Sequence, residues 1–260
     1  YIGKNTFKKD ADLIIYSPAV NVRHSMSNML SYSQALGELT KQHFTIAVSG
    51  THGKSTTTAL ASLILQEGGY DPTVIIGTKI KEFGGSNFRR GYGGYFVIEA
   101  DEWNKSFLNY SPFIAAVTNI DNDHRDTYAT VKHLEDAFQE HLSHVPSDGV
   151  IVANKDDSRV RRIGKKFGKK VRWYSCADND ADSVRRVLRL SGEHNVSNAL
   201  AARAIGRAVG VFEPDILRAL ASFGGCWRRF EFKGIKNGVF VFSDYAHHPS
   251  EIKATISAFK

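Results

Sequence analysis

Ser49-Gly50-Thr51-His52-Gly53-Lys54-Ser55-Thr56-Thr57-Thr58 packs glycines, a lysine and a run of hydroxyls into one short stretch. Those residue types suit a polyphosphate. Glycines let backbone N–H groups curl around it, a lysine reaches its outer phosphates, and a hydroxyl ligates the accompanying Mg²⁺. The generic pattern G-x-x-x-x-G-K-[ST] would put glycine at 48, where Val48 stands. The competing reading is a glycine-rich turn ahead of an ordinary helix. A Mg²⁺-nucleotide also needs oxygen ligands nearby. Glu99 is placed for that, as the first acid after an apolar run, whereas Glu102 in the same Glu99-Ala100-Asp101-Glu102 cluster reads as a solvated loop acid. His124, within Asp123-His124-Arg125-Asp126, is a candidate second metal ligand. His194, Asn195 and Asn198 open a helix, and asparagine offers the donor and acceptor pair that fits a purine edge, or simply a helix cap. Arg228 and Arg229 could neutralise phosphoryl charge, with surface arginines as the plain alternative. Asp244, His247 and His248 precede Pro249 just past an apolar strand, although adjacent histidines rarely face one point.

Positioning these groups takes a particular scaffold. Phe44-Thr45-Ile46-Ala47-Val48 is short, apolar and β-branched, as a buried parallel strand is, and residues 59–66 continue as a helix stopped by Gly68-Gly69. Strand, glycine turn and helix form the setting in which a helix N-terminus receives phosphate. Further strands are expected at Tyr95-Phe96-Val97-Ile98, at residues 113–118 and at Val150-Ile151-Val152, with a helix from Val131 to about Leu142. Alternating strands and helices predict an α/β fold with a mostly parallel central sheet, ligands lying beyond the carboxyl ends of the strands. Before this comes a strand over residues 12–16 with a turn at Pro18, then a helical segment over residues 27–39. After it come a strand within residues 169–175, an acidic loop over residues 177–183, helices over residues 193–209 and 214–222, and strands at 230–233 and 239–242. Lys236-Asn237-Gly238 splits that pair, and one more helix closes the chain. A domain boundary is expected within residues 224–230.

The chain carries 34 Lys and Arg against 27 Asp and Glu, a net charge of +7. The excess in residues 159–172 and 185–189 lacks interleaved aromatics and any nucleic-acid motif, so it reads as solvated helix face. A mild positive field also suits anionic substrates. Cys176 and Cys226 have no metal spacing and make no disulfide framework, which points to a reducing cytoplasm and to plain thiols. No apolar run is long enough to span a bilayer, so membrane insertion is not expected, and Tyr1 opens no signal peptide.

Taken together, the motifs resemble those of the Mur ligases. Gly50-Thr51-His52-Gly53-Lys54-Ser55-Thr56-Thr57-Thr58 is similar to that family's shortened phosphate loop, which accounts for Val48. Glu99-Ala100-Asp101-Glu102, Thr118-Asn119-Ile120-Asp121-Asn122-Asp123-His124-Arg125-Asp126, Gly192-Glu193-His194-Asn195-Val196-Ser197-Asn198, Arg228-Arg229-Phe230 and Asp244-Tyr245-Ala246-His247-His248-Pro249 follow in the family's order. Within it, the pattern looks most like the member that adds L-alanine, departing at Arg125 and Ala246.

The resemblance implies a UDP-sugar domain ending within residues 1–43, an ATP domain over 44–226 and a Rossmann-like C-terminal domain starting over 227–260. It implies ATP-driven activation of UDP-N-acetylmuramate as an acyl phosphate, attacked by L-alanine, in a cytoplasmic monomer or homodimer without nucleic acid. Gly50, Thr51, His52, Gly53, Lys54, Ser55 and Thr56 would hold phosphates; Ser55, Glu99 and His124 would hold Mg²⁺. Asn195 and Asn198 would lie near adenine, with Arg229 and Asp244 on the nucleotide. Lys54, His124, Arg229 and His247 would be catalytic. Rival expectations are a ligase that adds a preformed peptide and a nucleotide-binding module that has lost ligation. Lys54→Ala is expected to stop turnover and leave the fold intact.

Overall fold

The protein is described here by a computed structural model covering residues 11–17, 20 and 27–259; Tyr1 and Pro18 lie outside those residues. A small parallel pair, β1 (Ile14–Tyr16) and β2 (Met29–Ser31), precedes helix α1 (Tyr32–Thr40). The helix expected from Ser27 therefore starts later. Ser31 caps it in a reciprocal box with Gln34, so the residues before that cap are free to pair as a strand.

The order then runs β3 (Phe44–Ser49), α2 (Lys54–Glu67), β4 (Thr73–Ile80), β5 (Ser86–Arg89), β6 (Tyr95–Glu99), β7 (Ile114–Val117), α3 (Val131–Ser143), β8 (Val150–Asn154), α4 (Ser158–Gly164) and β9 (Val171–Tyr174). The seven strands from β3 to β9 form one sheet in the order β5-β4-β6-β3-β7-β8-β9, parallel except for the antiparallel edge strand β5. Period-two alternation sends side chains to two cores. Ile46, Val48, Val97, Ile114, Ala116 and Val152 pack on one face, and Ala47, Phe96, Ile98, Ala115, Val117 and Ile151 on the other. A parallel sheet buried on both faces is what such uniformly apolar strands require.

Helices α5 (Ala181–Val187), α6 (Glu193–Val209) and α7 (Glu213–Ser222) join α2 over the first face. Part of the acidic stretch read as loop is thus helical: Ala181 and Val184 are buried, and their burial outweighs the weak propensity of the surrounding aspartates. The chain ends in a hairpin, β10 (Glu231–Lys236) and β11 (Val239–Ser243), followed by α8 (Pro249–Ser257). This segment attaches near the end of β4, where Ile80 bridges Cys226 and Trp227 N–H donates to the Lys79 carbonyl at 2.9 Å.

Candidate functional site

The central strand β3 delivers Ser49 to its carboxyl end, and the chain turns through Gly50 and Gly53 at φ of 132° and 82°. Both glycines are required. A Cβ at Gly50 would stand 2.0 Å from Thr118 Oγ1, and one at Gly53 would stand 2.2 Å from Asn198 Oδ1. Asn119, the second residue past β7, sews the loop in place. Its side chain accepts from His52 N–H at 2.8 Å and donates to His52 O at 2.9 Å, while its carbonyl accepts from Thr51 N–H at 3.0 Å. Helix α2 then starts at Lys54 with no side chain of a described residue capping it. Its first N–H groups are left for an anion.

Beside that helix end lies a cavity of about 230 Å³. His52, Gly53, Ser55 and Thr56 line it from the loop, His194, Asn195 and Asn198 from the start of α6, and Arg229, Asp244 and Glu251 from the C-terminal segment. Gly50, Thr51 and Lys54 stand behind this lining. The Lys54 ammonium turns back onto Gly50 O at 2.7 Å and Glu102 Oε2 at 2.8 Å. Asp244 lines the cavity with its carboxylate already engaged by Phe230 and Ala246 N–H, each at 2.6 Å. His247 is largely exposed and bonds Tyr245 O at 3.2 Å, away from the lining. Asn195 both lines the cavity and holds Ser191 O at 2.7 Å, so the purine-edge and capping readings share one residue. Burial pushes the His194 imidazole below its usual value, against an opposing pull from Asp244, leaving it neutral at neutral pH.

The expected metal ligands fall into two adjoining groups. Ser55 Oγ donates to Glu99 Oε1 at 3.0 Å, and Gly77 N–H donates to Glu99 Oε2 at 2.6 Å. His124, held in the left-handed region at φ 53°, places Nε2 3.6 Å from Glu102 Oε1. Glu102 overturns its reading as a solvated acid, because the side chain is fully buried. Lys54 reaches its carboxylate and the Tyr128 hydroxyl donates to its carbonyl, both from distant parts of the sequence. Burial lifts the Glu102 carboxyl above its ordinary range, and the charge and hydrogen bond of Lys54 only partly counter it. Glu102 Oε1 is buried without a hydrogen-bond partner, beside His124 and Asp101. An orphaned carboxylate oxygen beside a second carboxylate and one imidazole fits a divalent cation such as Mg²⁺.

Sequence reasoning missed Asn119, Glu102 and Glu251 as site residues. Asn119 was findable, since it emerges from an apolar strand just as Glu99 does. Glu251 accepts from His52 Nδ1 at 3.2 Å and His247 N–H at 3.1 Å, and lies 3.7 Å from Arg229. Burial opposes its charge, but His52 and the N–H groups of His247 and His248 bring its carboxyl down to about 2. Both cysteines fit the plain-thiol reading: burial pushes Cys176 up to about 11 and Cys226 up to about 12. Among the described residues no helix is long and apolar enough to cross a membrane.

Residues 48–188 match the family model of the Mur ligase middle domain. Among curated proteins, the UDP-N-acetylmuramate–L-alanine ligase of Pelotomaculum thermopropionicum is 39% identical over 280 residues, covering 96% of this chain and 60% of that protein. Its counterpart in Acetivibrio thermocellus is 40% identical over 283 residues, again covering 96% and 60%. Among solved structures, UDP-N-acetylmuramate–alanine ligase from Thermotoga maritima superimposes with a TM-score of 0.76 at 25% identity, over 98% of this chain and 65% of that one. A murein peptide ligase from Psychrobacter arcticus gives 0.70 at 27% identity, over 90% and 58%. The chain thus spans about three fifths of the curated relatives it matches.

Proposed function

The chain belongs to the Mur ligase family, and from that premise we propose that it is the catalytic core of an ATP-dependent ligase joining L-alanine to UDP-N-acetylmuramate in peptidoglycan precursor synthesis. One observation carries the reading: the uncapped start of α2 and Arg229 of the C-terminal segment line the same cavity, beside Asn195 and Asn198. Catalysis by phosphoryl transfer is largely alignment and charge neutralisation, and that arrangement supplies both.

In this reading the loop from Gly50 to Thr56 receives the triphosphate, and Asn195 and Asn198 take the adenine side. Ser55, Glu99 and His124 would hold Mg²⁺, with Asp101 and Glu102 beside His124, and the charge held there would offset that of the phosphates. Lys54 turns toward the phosphates from its present place on Glu102, so nucleotide binding draws the ammonium off a buried carboxylate. The lactyl carboxylate of the sugar attacks the γ-phosphorus, ADP leaves, and the amine of L-alanine then attacks the acyl carbon, expelling phosphate. Arg229 and Asp244 meet the nucleotide from the C-terminal segment, and His247 of the same segment acts at the reacting centre. Residues 1–43 belong to a UDP-sugar domain, 44–226 to the ATP domain and 227–260 to the C-terminal domain of a cytoplasmic protein, monomeric or homodimeric, that takes no nucleic acid.

The test is phosphate release from ATP by the full-length protein. Release that requires both UDP-N-acetylmuramate and L-alanine is expected. Release with a preformed peptide in place of L-alanine, or tight ATP binding with no substrate-dependent release, would overturn the assignment in favour of a peptide-adding ligase or of a binding module.

A further inference from the structure

We propose that His52, Asp121 and His248 bind one transition-metal ion of the zinc class, and that this ion pins the C-terminal segment to the phosphate loop. The three come from separate places: the turn between β3 and α2, the loop after β7, and the residue that caps α8. One donor atom from each lies within 4.8 Å of the others. His52 Nε2 is 3.4 Å and His248 Nδ1 is 3.8 Å from the same oxygen, Asp121 Oδ2. Donors around a tetrahedral zinc ion with bonds of about 2.05 Å stand about 3.3 Å apart, so only small adjustments are needed. The rings of His52 and His248 already lie 4.9 Å apart between centroids.

Surrounding groups aim these donors. Asn122 N–H occupies Asp121 Oδ1 at 2.8 Å, leaving Oδ2 turned to the imidazoles with the Ser250 hydroxyl 2.8 Å from it. Glu251 holds the far nitrogen of His52, Nδ1, at 3.2 Å. A carboxylate on the non-ligating nitrogen fixes the ring and strengthens it as a ligand. The opposing cost is the contact from Ser250 N–H to His248 Nδ1, 3.3 Å long, which is given up if that nitrogen ligates. Two imidazoles and one carboxylate select a borderline metal, whereas the site at Ser55, Glu99 and His124 offers one imidazole among oxygen donors, a set closer to what Mg²⁺ takes. The proposal does not rest on the ligation reaction, since the ion is held by the protein alone.

Zinc is titrated calorimetrically into the metal-free chain with excess Mg²⁺ present, and Co²⁺ substitution is followed by visible absorption. Binding of one ion, with the intense absorption of tetrahedral Co²⁺ and with slowed amide exchange in α8, is expected. His248→Asn keeps an oxygen to cap α8 but removes the imidazole, and Asp121→Asn keeps the shape but removes the charge. Each should weaken zinc at least about tenfold, the lower bound for losing even an outer partner of a metal site. Wild-type zinc affinity in both variants, loss of binding in His124→Asn instead, or binding that leaves α8 exchange unchanged would each overturn the proposal. Melting of the metal-free variants at the wild-type temperature separates lost ligation from lost folding.

Discussion

Helix α2 buries every residue from 55 to 65, whereas α8, which lines the same cavity, buries none. The inner wall is thus a product of the hydrophobic core and of backbone stitching by Asn119. The outer wall is held by polar contacts: His52 to Glu251, Ser250 to Asp121, Arg229 near Glu251. Burial of apolar area binds an element permanently at ordinary conditions, while a few partly buried polar contacts bind it conditionally. In the proposed function, one wall defines where phosphate goes and the other can respond to what has bound.

The comparison breaks most visibly at Lys54, which serves both the inner wall and the proposed chemistry. Lys54→Ala should cut phosphate release by about a hundred- to a thousandfold, as loss of one group that stabilises transition-state charge does. The expectation that it spares the fold does not survive the structure. Its partner Glu102 is fully buried, and stranding one member of a buried pair costs about 3 kcal/mol. Urea denaturation should register that loss, and adding Glu102→Gln should recover most of the stability without recovering turnover.

His141 tests whether the core on the other face of the sheet, behind Glu102, has a weakness of its own. It stacks on Phe107 at 4.7 Å, and its Nδ1 donates to Phe107 O at 3.1 Å, supporting the segment that carries Glu102. Burial pushes its imidazole down to about 3. The folded state therefore refuses a proton that the unfolded chain accepts below about pH 6.5. Stability is full above that value and falls as pH drops, by up to about 1.4 kcal/mol per unit. Denaturation midpoints at pH 7 and pH 5 should differ accordingly, and His141→Gln should flatten the difference.

The smallest effect belongs to the outer wall. Glu251→Gln should lower amide protection in α8 about fivefold, in the range of a partly exposed ion pair, while α2 exchanges as before. Equal losses in both helices would erase the distinction between the walls.

What the sequence disclosed follows the same division. Strands β3, β6, β7 and β8 are legible because burial on two faces makes them continuous apolar runs, and the helix behind the glycine loop follows from them. Strand β4 escaped notice because Gly77 and Lys79 interrupt its pattern, yet the glycine is there for Glu99: a Cβ at 77 would lie 2.9 Å from its carboxylate. Glu102 was misread because its partners Lys54 and Tyr128 reach it from distant parts of the sequence. Glu251 went unread because its partner His52 lies at the other end of the chain.

Gly77 also says something about how such a site can be transplanted. The room for the Glu99 carboxylate is an omission on the neighbouring strand, and Gly77 N–H supplies one of its hydrogen bonds. A designer who grafts the phosphate loop and the acid onto another parallel sheet would carry over the visible parts and lose the empty one. The portable unit is a pair of strands in fixed alignment, and its most easily forgotten component is a side chain that is not there.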